Sequence, residues 1–467
     1  GVLLSSLYVA GAVDVAPGSG NGVAIGTGSN APKAENVAIG KGATIEYSGG
    51  VGQPSTGDIV IGGKAHINNY IDQGGGIAIG ANSFVENMVG GMERAFDFNQ
   101  AGYKNLFGIP FGLPKNPEKM VTGMAIGQNT YARSGSIMLG THNYKGKLGD
   151  VDVDSSNTKN NNGHLFSTTI GANSYSNGLF SSIVGAYSIA SSGYPTTTAD
   201  ATKNFGATIT GSLNSIESAS ASSQYSGVAN SIVGTANRTF NSNGSLVFGA
   251  GNEITNSVAD ISAPSSGGNS AKELAEKLRS AVKNSNGGGS TMAFGSGNKA
   301  DYTLRSALMG VNNTLTGSKG NESTNTMLTG FHNTADKVFN TTVIGSENTV
   351  TNSKNSLVMG DNREVKDANH AVLIGSTDSK TTTSVNNAVA VGHNTNVTVE
   401  GGVALGSESK STVAAGAVGY DPSTKAQSTN TDSTWKATKS AISVGDADNN
   451  ITRQITSVAA GTKDTDA

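Results

Sequence analysis

With 467 residues, 14% charged side chains, a net charge of -3 and no cysteine, the chain offers no basic footprint for nucleic acid and no disulfide or thiolate metal site. Its 64 glycines and 9 prolines exclude collagen and a proline-rich linker, and its locally concentrated apolar runs exclude a disordered low-complexity tract. No stretch reaches the roughly 18 to 20 continuous apolar residues of a membrane helix.

Residues 1–10, apolar but broken by Ser5 and Ser6, read as a first strand closing a stack; the apolar core of a secretory signal is the other reading. Beyond them a short apolar run ending in glycine occurs twenty times, as in Val23-Ala24-Ile25-Gly26, Ile77-Ala78-Ile79-Gly80 and Leu357-Val358-Met359-Gly360. The closing glycines stand at 26, 40, 62, 80, 127, 140, 171, 185, 211, 234, 249, 295, 310, 330, 345, 360, 375, 392, 406 and 416. Several steps are 14 or 15 residues, among them 26 to 40, 171 to 185, 234 to 249 and 345 to 360. A fixed period of one strand plus one turn signals a solenoid, so an all-β stack of coils is expected.

Alternation along Val23-Ala24-Ile25 sends Val and Ile to one face and Ala to the other. The middle position is apolar in almost every run, from Ala38 and Val60 to Val358 and Leu373, which implies burial on both faces. A narrow coil covers one face with its own second strand. The other face needs another copy of the chain, so self-association is expected. Glycine closes each run because the chain turns there through positive φ. The neighbouring asparagines at 30, 82, 129, 143, 173, 214, 237, 252, 298, 313, 333, 348 and 362 suit left-handed corners and can stack as amide ladders. A ligand-binding row of amides is the alternative.

Four intervals hold insertions, and insertions on a solenoid usually carry its binding surface. The 47 residues from Gly80 to Gly127 contain, at about 88–120, the aromatic cluster Phe96, Phe98, Tyr103, Phe107 and Phe111. Such a cluster on a polar fibre is a candidate receptor contact; burial against a neighbouring protomer is the competing reading. The insertion at about 143–167 includes Asp150, Asp152 and Asp154. Ser155 and Asn161 stand where a calcium loop needs Gly and Glu, so a solvated edge is expected instead. The insertion at about 190–206, with Tyr194-Pro195, reads as a surface loop. The fourth, at about 253–290, holds a helix: Ser270 and Glu273 form a capping box, Leu274, Leu278 and Val282 share one face, and residues 284–289 stop it. Its narrow apolar stripe is expected to lie on the roll.

No His-Glu-x-x-His, Gly-x-x-x-x-Gly-Lys or Gly-x-Gly-x-x-Gly occurs, and His66, His142, His164, His332, His370 and His393 are scattered. The expectation is a protein that is not an enzyme, without catalytic residues, cofactor or metal.

The repeat Asn36-Val37-Ala38-Ile39-Gly40-Lys41-Gly42-Ala43 resembles the head repeats of trimeric autotransporter adhesins, the YadA-like family. Ile442-Ser443-Val444-Gly445, followed by Arg453-Gln454-Ile455-Thr456-Ser457-Val458-Ala459-Ala460-Gly461-Thr462 and Asp464-Thr465-Asp466-Ala467, is similar to that family's neck, which joins head to coiled-coil stalk. The resemblance implies a left-handed parallel β-roll assembled as a homotrimer, with a head over 1–434 and a neck over 435–467. It also implies display on the bacterial outer membrane, through an anchor outside these residues, and attachment to host cells or matrix; some members recognise host receptors such as CEACAM proteins. A carbohydrate-active β-solenoid enzyme and a passive spacer presenting another domain are the alternatives.

Overall fold

The computed structural model describes residues 16–47, 57–69, 74–87, 122–143, 165–190, 203–218, 225–259, 261–264 and 271–466, and every structural statement below concerns these. The aromatic insertion, the aspartate run at 150–154, Tyr194-Pro195, Ser270 and residues 1–10 lie outside them. The chain forms two compact units, Gly1–Val247 with Val258–Gly289, and Phe248–Ser257 with Ser290–Ala467.

Both units are parallel β-rolls. In the first, strands Val23–Ile25, Val37–Ile39, Ile59–Ile61, Ile77–Ile79, Met124–Ile126, Ile137–Thr141, Thr168–Ala172, Ser182–Val184, Thr208–Thr210 and Ser231–Thr235 pair in parallel, equivalent residues side by side. In the second, Met292–Ser296, Ala307–Val311, Met327–Phe331, Thr342–Ser346, Leu357–Asp361, Val372–Ile374, Val389–Val391, Val403–Leu405 and Ile442–Ser443 do the same. Most coils add a second strand on the opposite wall, such as His66–Asn69 in the first unit and Thr349–Lys354 in the second.

The middle residue of each run fills the space between the walls. Ala38, Val60 and Ala78 in the first unit and Leu308, Leu328, Val343, Val358 and Leu373 in the second are completely buried, or within one per cent of it. Residues of the opposite wall are equally buried, Ile45, Ile67 and Val85 in one unit and Leu315, Ala335, Val350 and Val365 in the other. The interior is one or two side chains thick, so each coil depends on its neighbours for burial.

Nineteen of the twenty predicted runs are strands. The exception ends at Gly416, only ten residues after Gly406, too few for a full circuit of fourteen or fifteen. Residues 412–440 instead leave the roll as an exposed excursion whose tip pairs Tyr420–Asp421 with Ala426–Gln427 in antiparallel fashion. The roll resumes at Ile442–Ser443, which lies beside Val403 and Ala404. Beyond it Arg453 folds back over Gly406. Its guanidinium donates to the carbonyls of Ser407 and Val444, each at 2.6 Å, and to the Ser409 hydroxyl at 3.1 Å.

The predicted helix spans Ala271–Asn284. Leu274 is buried with Leu165, Leu179, Phe205, Val228, Ile261 and Ala263, and Leu278 and Val282 pack against the same cluster. The helix therefore lies on the first roll, as its stripe predicts. The stop comes where expected: Asn286, Gly287, Gly288 and Gly289 all take positive φ.

The first roll also buries Asp58. Its carboxylate accepts from the Tyr47 hydroxyl at 2.6 Å, the Asn69 amide at 3.0 Å and the Gly76 N–H at 2.9 Å. Burial raises its pKa despite these bonds. Because the folded value lies above the unfolded one, the stability this group contributes is complete below about pH 4 and is lost as pH rises through the folded value. Asp58→Asn removes that dependence. In paired circular-dichroism melts the wild type should gain on the variant as pH falls from about 7 to about 4.

Candidate functional site

The strands that end in glycine present two residues outward for each one they bury. In the first unit these form in-register columns, Val23, Val37, Ile59, Ile77, Met124, Ile137 and beside them Ile25, Ile39, Ile61, Ile79, Ile126, Leu139, Ile170, Val184. The second unit repeats the pattern with Leu357, Val372, Val389 and Val403 beside Met359, Ile374, Val391 and Leu405. None of these side chains is fully covered: Ile61 is 37%, Met359 41% and Leu405 40% exposed. Such a row leaves a stripe of apolar surface open to solvent in the single chain.

The opposite wall of the second unit has a different surface. Lys299, Thr314, Thr334, Thr349, Glu364 and Thr382 run side by side, with Asp301, Thr316, Asp336, Thr351 and Lys366 next to them. They bond along the stack: the Thr316 hydroxyl donates to Asp336 at 2.7 Å, and Glu364 accepts from the Thr382 hydroxyl and pairs with Lys380 at 3.3 Å. The Thr382 hydroxyl, and after it Lys380, holds the Glu364 carboxyl below its usual pKa. One wall is therefore apolar and the other is a charged, hydroxyl-rich surface.

The asparagines sort into two sets by their distance from the glycine. Two residues after it, Asn82, Asn129, Asn173 and Asn362 adopt left-handed backbone, as do His142 and His332. This corner is partly to fully exposed, and His332 meets Glu347 of the next coil at 2.9 Å. Three residues after the glycine the side chain turns inward. Asn298, Asn313, Asn333 and Asn348 are fully buried and form a ladder in which each amide oxygen accepts from the backbone N–H and the side-chain amide of the next. Each amide nitrogen also reaches a glycine carbonyl of the following coil, Gly345 for Asn333 at 2.7 Å and Gly360 for Asn348 at 2.7 Å. In the first unit Asn143, Ser174, Ser188, Asn214 and Asn237 form the same chain. The expected ladders are present, but most of their members face the interior, out of reach of a ligand.

Arg363 occupies the ladder position after Asn348 and is completely buried. Its N–H accepts the place of an asparagine by donating to the Asn348 amide oxygen at 3.0 Å. The guanidinium then reaches across two coils to the carbonyls of Gly375, Gly392 and Thr395 at 2.8, 3.0 and 2.5 Å. Burial lowers its pKa to about 10, so it stays charged at neutral pH.

Among the described residues no three His, Asp or Glu side chains are grouped to hold a metal ion, and no helix is long and apolar enough to cross a membrane. Phe96, Phe98, Tyr103, Phe107 and Phe111, the predicted receptor contacts, lie outside the described residues. The two unlike walls are the functional feature that the structure does show. Sequence alternation announced the apolar one; the polar one carries too little period-two contrast to be seen in a list of runs.

No protein-family model matches the chain. Over 65 residues it is 49% identical to the autotransporter adhesin BadA of Bartonella henselae, a match that covers 14% of this chain and 2% of that protein's length.

Proposed function

We propose that this chain is the head of a bacterial surface adhesin, assembled as a homotrimer with its apolar walls turned toward one another and its polar walls toward solvent. The observation that carries the reading is the apolar ladder of the glycine-terminated strands, continuous over many coils and uncovered in the single chain. The local likeness to an autotransporter adhesin supports the same reading, as do the neck-like residues over 435–467. Display would be on the outer membrane, and many copies of a surface contact would add avidity. Host receptors, including the CEACAM class, and matrix proteins are the ligand classes this reading covers.

Covering a half-exposed Ile or Met gains about 1 kcal/mol, so the ladder supplies ample energy for stable association. Ile61→Glu and Met359→Glu place charge on the ladder but not in the interior. Sedimentation equilibrium should show the wild type as a trimer and the double variant dissociating at markedly higher concentration. A folded wild-type monomer would remove the reading.

The aromatic segment at about 88–120 is proposed as the receptor contact. A trimer lacking residues 88–120 should lose most of its binding to host cells in flow cytometry while keeping its sedimentation coefficient near that of a trimer. Unchanged binding would remove this assignment.

A further inference from the structure

The outward columns of the first unit change character partway along. The first column is apolar from Val23 to Ile137 and then becomes Thr168, Ser182, Thr208 and Ser231. The second column keeps Ile170 and Val184, then gives way to Thr210 before Val233. Over these four coils five of the eight outward positions are Ser or Thr.

In two of these four coils the left-handed corner carries a large apolar side chain. Asn129, His142, Asn173 and Ala236 are small or polar at this corner, but it carries Tyr187 and Leu213 on consecutive coils, with φ of 53° and 61°. Bulky side chains are uncommon in this backbone region, which strains them more than it strains asparagine or glycine. They do not recover that cost inside their own roll: Tyr187 is 51% and Leu213 58% exposed. Their backbones are locked in the stack, the Tyr187 N–H donating to the Ala172 carbonyl and that of Leu213 to Ala186, both within 3.0 Å. The two residues therefore stand on adjacent coils, three residues beyond the outward Val184 and Thr210.

We infer that Tyr187 and Leu213 form an accessory self-association seam, covered by a second copy of this chain where the wall has turned polar. The inference rests on the homotrimer reading above and specifies how contact is kept over these coils. Two observations select a second copy as the occupant. Among the described residues the corner carries bulky apolar side chains only in coils whose wall has turned partly to Ser and Thr, and each stands three residues along the chain from a member of the outward column, Val184 and Thr210.

The test uses the full chain with Tyr187→Asn and Leu213→Asn together. Asparagine is what this corner carries at 129 and 173, so the backbone strain is relieved and the single roll keeps its fold. Urea-driven dissociation is followed by sedimentation velocity, with circular dichroism reporting the roll. The expected result is an apparent dissociation constant raised about tenfold or more, with the roll unfolding at the same or higher urea. An unchanged dissociation profile in a trimer that Ile61→Glu does weaken overturns this inference alone. A wild type that sediments as a monomer overturns it together with the reading it rests on. Loss of host-cell binding without any change in dissociation also overturns it, because the corner would then be a ligand surface.

Discussion

Gly345→Ala is expected to destabilise the second roll by about 3 kcal/mol or more, a loss that equilibrium urea unfolding of the purified protein would measure. Two independent costs combine at this position. Its φ of 134° lies in a region that residues with a Cβ rarely enter. The added Cβ would also stand 1.8 Å from the Gly360 carbonyl oxygen of the next coil, where neither backbone can move without breaking the parallel ladder. Because a roll is held by nearest-neighbour contacts, damage at one coil spreads to both sides. A variant that unfolds at the same urea concentration as the wild type would show that the glycines serve the turn alone and not the spacing between coils.

Arg363→Ala should cost a similar amount, about 3 kcal/mol or more, because it empties a fully buried position and strips the donors from three backbone carbonyls at once. Arg363→Asn is the informative comparison. By analogy with Asn348, an amide at 363 would still reach the carbonyl of Gly375, leaving those of Gly392 and Thr395 without the guanidinium. The asparagine variant is therefore expected to fall between wild type and alanine in urea midpoint. Equal losses for both variants would mean that only the far end of the guanidinium matters.

These two residues also show how far the sequence alone could be read. The glycine column was visible because every coil has the same local need, a sharp turn at a fixed interval, and local needs repeat in sequence. The helix was equally legible: Leu274, Leu278 and Val282 share a face, and that face is the one packed on the roll. The asparagine ladder was half legible. Offsets of two and three residues from the glycine separate exposed corners from buried rungs, but only the fold shows that one residue of shift turns a side chain inward. Arg363 gave no signal, since a fully buried arginine runs against ordinary burial preference. The run at Val413-Ala414-Ala415-Gly416 misled because its pattern is correct locally, while pairing of Ile442 with Val403 across 39 residues is a non-local event. The candidate aromatic contacts remain a sequence inference, lying outside the described residues.

Arg453 has a consequence for what the roll does at its last circuit. Elsewhere along the glycine column the atom nearest each glycine is a carbonyl of the following coil, whereas over Gly406 it is the Arg453 guanidinium, 3.1 Å from where a Cβ would be. Stacked parallel strands with open carbonyls are templates for further strands, and a long ribbon of this kind invites end-to-end polymerisation. A bulky cation seated on the Ser407 and Val444 oxygens denies an incoming chain those acceptors. Over Gly406 a side chain thus holds the place that the backbone of the next coil holds over the glycines before it.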